Sequence, residues 1–233
     1  MAESMRELEL KEKEREERRK TREEKKVMKA RKEAAQSTKK WKGKDWFVIF
    51  SPKMFGDKVI GETPATNPKT LLGRNIEVSL SDLTGQYGRD FYRLMFSINR
   101  VDKNAVYTRF NGYKTLREHI MRMVRKRVQK IESMVYVNTK DKWRLQISTV
   151  AILNRNTEAS VKKKVRANIE KILQDTAAES DIDNFVKAVI TSKIQRDIKK
   201  TGTKIYPVRL CEIAKIEVKS VPSGSGPKVT DAK

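Results

Sequence analysis

The apolar pattern of this chain begins abruptly. Residues 1 to about 38 are dominated by Lys, Arg and Glu and contain no Gly or Pro; then Trp46-Phe47-Val48-Ile49-Phe50 appears, fringed by Lys40, Lys42, Lys44 and Lys53. Everything able to build a core lies after that boundary, so the foldable region is about 39–220. In the leader, Glu precedes a base by four residues at Glu7/Lys11, Glu9/Lys13, Glu14/Arg18 and Glu16/Lys20. That order supports a helix by about 0.2–0.5 kcal/mol per pair. Leu8, Leu10, Val27 and Met28 make no continuous stripe, so no coiled-coil seam is expected. A helix polar on all sides bridges solvent or forms on a partner. Residues 1–38 therefore read as a charged N-terminal arm, either a solvated, partly helical tail or a segment that docks on RNA or another protein.

After the boundary, the period of the apolar residues switches between two and about 3.6. Trp46–Phe50 reads as a core strand closed by Ser51-Pro52, and 59–63 as a second short strand. Pro64 and Pro68 mark a loop, and Pro68 to Gly73 one capped helical turn. Ile76, Val78 and Leu80 alternate with polar residues, as a half-buried strand does. Residues 91–101 and 105–110 form a hairpin about Asp102-Lys103-Asn104, and Asn111-Gly112 closes that unit. Spacing of Leu116, Ile120, Val124, Val128 and Ile131 predicts a helix over 115–131. A second hairpin joins 133–139 to 142–154, whose later part is apolar on both faces. Helices follow over 160–174 and 181–199, then a long strand over 205–219 with a bulge near Ala214, where the apolar phase changes. Residues 221–233 are rich in Ser, Gly, Pro and Lys and read as a flexible tail. Hairpins with inserted helices, not repeated β-α-β units, predict an α+β fold. Its antiparallel hairpins would make a curled sheet, with closure into a barrel as one option, flanked by basic helices.

Charge narrows the function. Lys and Arg number 53 against 30 Asp and Glu, giving a net charge of +23. Such an excess strains a compact free monomer, and a polyanionic partner relieves it. The single cysteine, Cys211, excludes an intramolecular disulfide, and one histidine, His119, with one cysteine excludes a Cys/His zinc site by count. No run approaches the about 20 apolar residues of a membrane helix. The opening residues are charged, not those of a secretory signal, so the expectation is a cytoplasmic protein. His119 lies between Glu118 and Ile120 with no nucleophile motif near it, and the phosphate-binding glycine loops are absent. We therefore expect no enzyme, no cofactor, no metal, no small-molecule substrate and no membrane partner. Candidate RNA-binding residues are Lys40, Trp41, Lys42, Lys44 and Lys53 around the first strand, and Arg74 and Arg109 on later ones. To these are added Arg122, Arg125, Lys126 and Arg127 on the first basic helix, and Lys162, Lys163, Lys164 and Arg166 on the second. Lys193, Lys199, Lys200, Lys204 and Arg209 follow toward the C-terminus. Solvent-facing bases suit phosphate contacts, and recognition of backbone and shape is expected because A-form RNA hides its base edges from side chains.

An ordered set of short motifs adds a resemblance. It comprises Lys44-Asp45-Trp46, Ser51-Pro52-Lys53-Met54-Phe55-Gly56, Ile60-Gly61-Glu62-Thr63-Pro64-Ala65 and Leu72-Gly73-Arg74. It continues through Leu80-Ser81-Asp82-Leu83-Thr84-Gly85, Tyr107-Thr108-Arg109-Phe110-Asn111-Gly112, Val124-Arg125-Lys126-Arg127 and Ile205-Tyr206-Pro207-Val208-Arg209. Over about 40–220 the chain resembles the eS-one (S-three-a-e) family of archaeal and eukaryotic small-subunit ribosomal proteins, and looks like an archaeal member. The resemblance implies a ribosome-bound structural protein on the platform, near the mRNA exit. Its partners would be small-subunit rRNA, neighbouring platform proteins and exiting mRNA. A free RNA-binding module or RNA chaperone is the alternative, and an enzyme acting on RNA a third. Two features depart from the family pattern: the leader is longer, and the turn at Asp141-Lys142 lacks a glycine, which suggests a longer or bulged hairpin.

Overall fold

The computed structural model describes residues 43–222 and 228–230. The charged arm, Lys40, Trp41 and Lys42 lie outside the described residues, as does the tail apart from Val221, Pro222 and Lys228–Thr230. Backbone contacts divide the chain into two compact units, 1–45 with 64–67 and 46–63 with 68–233. In the first, Ala65 is buried and Lys44 half-buried.

The described strands are β1 (Asp45–Phe50), β2 (Val59–Ala65), β3 (Asn75–Ser79), β4 (Tyr92–Asp102), β5 (Ala105–Thr115), β6 (Gln129–Asn138), β7 (Arg144–Leu153), β8 (Val208–Ser220) and β9 (Lys228–Thr230). One mixed sheet runs β2-β1-β5-β8-β7-β6, with β4 on the other side of β5 and β3 and β9 along β4. The fold is α+β as expected, but the sheet does not close into a barrel: the path ends at β2 and β6. Nor is it built of antiparallel pairs alone. β1 runs parallel to β5, matching Phe50 with Tyr107, and β9 runs parallel to β4. Such pairing joins segments far apart in sequence, so local alternation carries no sign of it.

One edge of β5 is shared. Its first part pairs with β1 through Tyr107, and its later part with β8 at Gly112–Lys114. Gly112 therefore does not close the hairpin, as its sequence suggests, but sits in mid-strand where β8 comes close. The hairpin β4–β5 turns at Lys103, which takes φ 47°. In β1, Phe47 and Ile49 face the core, each 3% exposed, which sends Trp46 to the other side at 60% exposure. Trp46 is thus not a core residue.

The helices are α1 (Leu80–Thr84), α2 (Arg117–Met123), α3 (Ala159–Glu179), α4 (Ile182–Ile190) and α5 (Lys193–Thr203). Leu80, expected as a strand residue, opens α1 instead, whose N-cap Ser79 side chain accepts from Ser81 N–H and whose C-cap Gly85 takes φ 69°. α2 is far shorter than the expected 115–131. It stops at Met123, Arg127 turns left-handed at φ 66°, and Gln129 opens β6. Ile131 and Val135 then alternate with exposed residues as strand positions. α3 buries Val165, Ile169, Leu173 and Ala177, a stripe at helical spacing. The expected helix over 181–199 is two helices, because Ser192 adopts φ 56° between them. Ile182, Phe185, Val186 and Val189 of α4, with Ile194 and Ile198 of α5, join one core cluster with Leu145, Ile147, Ile213 and Ile216 of the sheet.

Two finer expectations hold. In β7, Val150 and Ile152 are buried along with Leu145, Ile147, Thr149, Ala151 and Leu153, so both faces are covered there. In β8, Ser148 pairs with Lys215 and Thr149 with Ile213, leaving Ala214 as the bulged residue. The β6–β7 hairpin is not bulged: its register is unbroken from Gln129↔Leu153 to Asn138↔Arg144. Lys142 takes the position a glycine would favour, at φ 61°.

Candidate nucleic-acid interface

The sequence-predicted bases do not form one site. They fall into groups set by the elements that carry them. On α3, the buried stripe forces Lys163, Lys164 and Arg166 outward, while Lys162 is half-buried. Arg166 is engaged at home: its Nε donates to the Glu132 carbonyl at 3.1 Å. On α5, Lys193, Lys199 and Lys200 are exposed, and Lys204 follows at its C-cap, also exposed. α3 and α5 meet where Asn168 Nδ2 donates to Thr201 Oγ1 at 3.4 Å. Lys164 and Lys171 lie one turn either side of Asn168, and Lys204 one turn beyond Thr201. The two helices thus bring their bases to a common seam.

The other candidates stand apart. Arg122 is exposed on α2, and Arg125, Lys126 and Arg127 are exposed on the turn after it, not on a helix. Lys53 is exposed on the 3-10 turn Lys53–Phe55. Arg74 donates from Nη1 to Thr63 Oγ1 at 2.5 Å. Arg109 and Arg209 are half-buried on β5 and β8.

The strand registers also gather residues that the sequence pattern did not single out. Tyr136, Gln146, Glu217, Gly112, Met95 and Glu77 form one row across β6-β7-β8-β5-β4-β3. Two residues along, Met134, Ser148, Lys215, Lys114, Arg93 and Ser79 form the next row on the same face. Tyr136 and Met134 are exposed, and the Arg144 guanidinium carbon lies 5.7 Å from the Tyr136 ring centroid, within cation–π range. Lys215 and Lys219 both pair with Glu217, Lys219 at 2.6 Å. The Lys215 hydrogen bond, with that of Lys219, draws the Glu217 carboxyl down to about 2. The visible signal was the alternation Lys215-x-Glu217-x-Lys219 in β8, which marks one face of a strand as firmly as apolar alternation does.

The groups best suited to chemistry are absorbed by packing. His119 stacks on Phe91, centroids 3.6 Å apart and planes 7° apart, and burial, with Arg122 nearby, lowers its pKa. Cys211 is buried, which pushes its thiol up to about 12, helped by Glu212 beside it. A thiol held that high is a poor nucleophile. Among the described residues no three His, Cys, Asp or Glu side chains gather as a metal site, and no helix is long and apolar enough to cross a membrane.

Comparison with known proteins decides the family, since the description "Ribosomal S3Ae family" matches residues 32–222. The chain belongs to the Ribosomal S3Ae family. It is 35% identical to the small ribosomal subunit protein eS1 of Methanothermobacter thermautotrophicus over 195 residues, covering 84% of this chain and 99% of that one. The protein of the same name from Desulfurococcus amylolyticus is 35% identical, covering 81% and 89%. That from Sulfurisphaera tokodaii is 36% identical, covering 79% and 95%. The family match begins at residue 32, inside the charged arm, and its span takes in α3, α5 and the strand rows.

Proposed function

We propose that this chain is a structural protein of the small ribosomal subunit, cytoplasmic and ribosome-bound, that holds rRNA through its phosphate backbone and shape. The observation that carries the reading is the family match over the whole of the foldable region, with relatives named as small-subunit proteins. The seam of α3 and α5 supports it, because Lys164, Lys171 and Lys204 stand exposed beside it on helices whose other sides are committed to the core. Bases on exposed helix faces suit phosphates, while side chains gain little from the deep, narrow major groove of A-form RNA. The resemblance supports a finer placement on the platform near the mRNA exit, beside neighbouring platform proteins and within reach of exiting mRNA. Each phosphate contact releases counterions, so association must weaken steeply with salt. Sedimentation of ribosomes from cells expressing the tagged full chain tests this: stoichiometric migration with the small subunit at moderate salt, and release at high salt, are expected. Recovery only in the free fraction at low salt would overturn the reading.

A further inference from the structure

At the hairpin end of β5 the sheet carries a cavity of about 360 Å³. Tyr107 is its aromatic wall, and register sets what stands beside that ring. Phe50 of β1 and Arg100 of β4 are the cross-strand partners of Tyr107 on β5, so the three side chains stand abreast. The Phe50 and Tyr107 rings stack with centroids 5.6 Å apart at 23°, and the Arg100 guanidinium carbon lies 5.7 Å from the Tyr107 centroid. Tyr107 remains 39% exposed, so the stack is presented to solvent rather than spent in the core.

The rim is polar and its backbone is specially shaped. Ile98 pairs with Thr108 and Arg100 with Tyr107, so Asn99 is the extra residue of a β-bulge, a device that re-aims side chains beside binding sites. Across the cavity Asp57 holds φ 49°, a conformation that side-chain-bearing residues seldom adopt. The walls are tied: Ser51 Oγ accepts from Lys58 N–H, and Thr108 Oγ1 donates to the Phe50 carbonyl, each at 2.8 Å. Lys53 is exposed on the lining. Arg100 is bound twice by Asp102, Nη2 at 2.6 Å and Nε at 3.0 Å, so its charge is offset and its plane is fixed.

A planar aromatic surface, fixed polar groups and one cation at the edge match a planar heterocycle that carries a phosphate. We propose that this cavity takes one unpaired nucleotide of RNA, its base stacked on the Tyr107–Arg100 pair and its phosphate toward Lys53. The proposal rests on the RNA-binding reading above and adds a single-strand site to it. A polymer is favoured over a free nucleotide because one lysine, without a glycine-rich phosphate loop, gives a mononucleotide little hold.

The full chain and its Tyr107→Ala, Tyr107→Phe and Lys53→Ala variants would be titrated with a short oligouridylate carrying one 2-aminopurine. A duplex RNA and free AMP would serve as controls, with thermal unfolding followed in parallel. Wild type and Tyr107→Phe should quench the aminopurine on binding. Tyr107→Ala should weaken single-strand binding about tenfold and lose the quench, with duplex affinity unchanged. Lys53→Ala, a change at an exposed residue, should reduce the salt slope of single-strand binding by about 0.7. Equal single-strand affinity and quench in wild type and Tyr107→Ala, with duplex binding intact, would overturn the pocket while leaving the RNA-binding reading standing. Binding of AMP as tight as that of the oligonucleotide would overturn the RNA source. No binding of either RNA by wild type would overturn both readings.

Discussion

Gly112 on β5 lies directly against Ile216 on β8: a Cβ added to the glycine would stand 2.5 Å from the Ile216 carbonyl oxygen and 2.7 Å from the Met95 terminal methyl carbon. The methionine end can swing away. The carbonyl belongs to the backbone of the sheet and cannot. Gly112→Ala should therefore destabilise the fold by about 1–3 kcal/mol, the usual range for overpacking, although alanine suits a strand better than glycine does. Urea denaturation would measure it. A loss below about 0.5 kcal/mol, the scale of an ordinary surface change, would mean that β5 and β8 part easily there.

The β6–β7 turn makes predictions of opposite sign at adjacent residues. Asp141 Oδ2 accepts from the Ile182 N–H at 3.2 Å, and Lys140 N–H donates to the Ser180 carbonyl at 3.3 Å. The turn is thus docked on the junction of α3 and α4, and Asp141 caps α4 from outside its own segment. Asp141→Ala should cost about 1 kcal/mol, as loss of a helix cap does. Lys142 sits at φ 61°, where a side chain costs about 1–2 kcal/mol relative to glycine's freedom. Lys142→Gly should relieve part of that and raise the unfolding midpoint. Denaturant midpoints of the two variants should fall on either side of wild type, and a fall for Lys142→Gly would show the lysine to be held by something worth more than the strain.

Strands were legible where one face is wet. Ile76 and Val78 in β3, the Tyr92–Ile98 face of β4, and Leu145 to Thr149 in β7 follow alternation closely. The bulge at Ala214 was legible because a bulge shifts the apolar phase. Over 115–131 the residues themselves are ambiguous. Val124, Val128 and Ile131 fit a helical stripe, yet Ile131, Ser133, Val135 and Val137 fit a strand, and Arg127 changes hand with no Gly or Pro to announce it. Ser192 hides the break between α4 and α5 in the same way. Long-range pairings were beyond local pattern, and the aromatic stack beside the cavity depends on one of them, Phe50 with Tyr107; Arg100 meets Tyr107 within the β4–β5 hairpin, across a bulge that alternation does not announce. Exposed lysines on α3 were legible from helical periodicity. The row through Lys114 and Lys215 was not, because it exists only once β5 and β8 are side by side.

The Lys215–Glu217–Lys219 cluster gives a pH dependence with a definite sign. Lys215 first, then Lys219, hold the Glu217 carboxyl at about 2 in the folded chain, below the ordinary glutamate value of about 4.3. A depressed folded value stabilises the protein above about pH 4, and the contribution fades as pH falls toward 2. Glu217 is half-buried and both lysines that hold it are more exposed, so the cluster's worth is near that of a surface pair, about 0.2–1 kcal/mol, not what the full displacement would imply. Glu217→Gln should lower the unfolding free energy from urea denaturation at pH 6 by that amount, and the gap from wild type should close by about pH 2. A gap constant across that range would assign the effect to packing instead of charge.

Neighbouring bases on α3 should separate stability from association. Lys163 and Lys164 are exposed and contribute nothing to the core, so reversing both to Glu should change folding stability by less than about 0.5 kcal/mol. If they face rRNA phosphates, the same change should weaken association with the small subunit and lower its salt slope by about 0.7–0.9 for each phosphate no longer neutralised. Arg166, close by on the same helix, is different. Its bond to the Glu132 carbonyl ties α3 to β6, the strand at which the sheet path ends. Arg166→Ala should cost about 0.5–1.5 kcal/mol in the isolated protein, the net worth of an ordinary hydrogen bond. Denaturation of the free chain and sedimentation with the subunit, measured on both variants, would read the two effects independently. Lys163→Glu/Lys164→Glu that unfolds the free chain, or Arg166→Ala that leaves it untouched, would reverse these assignments.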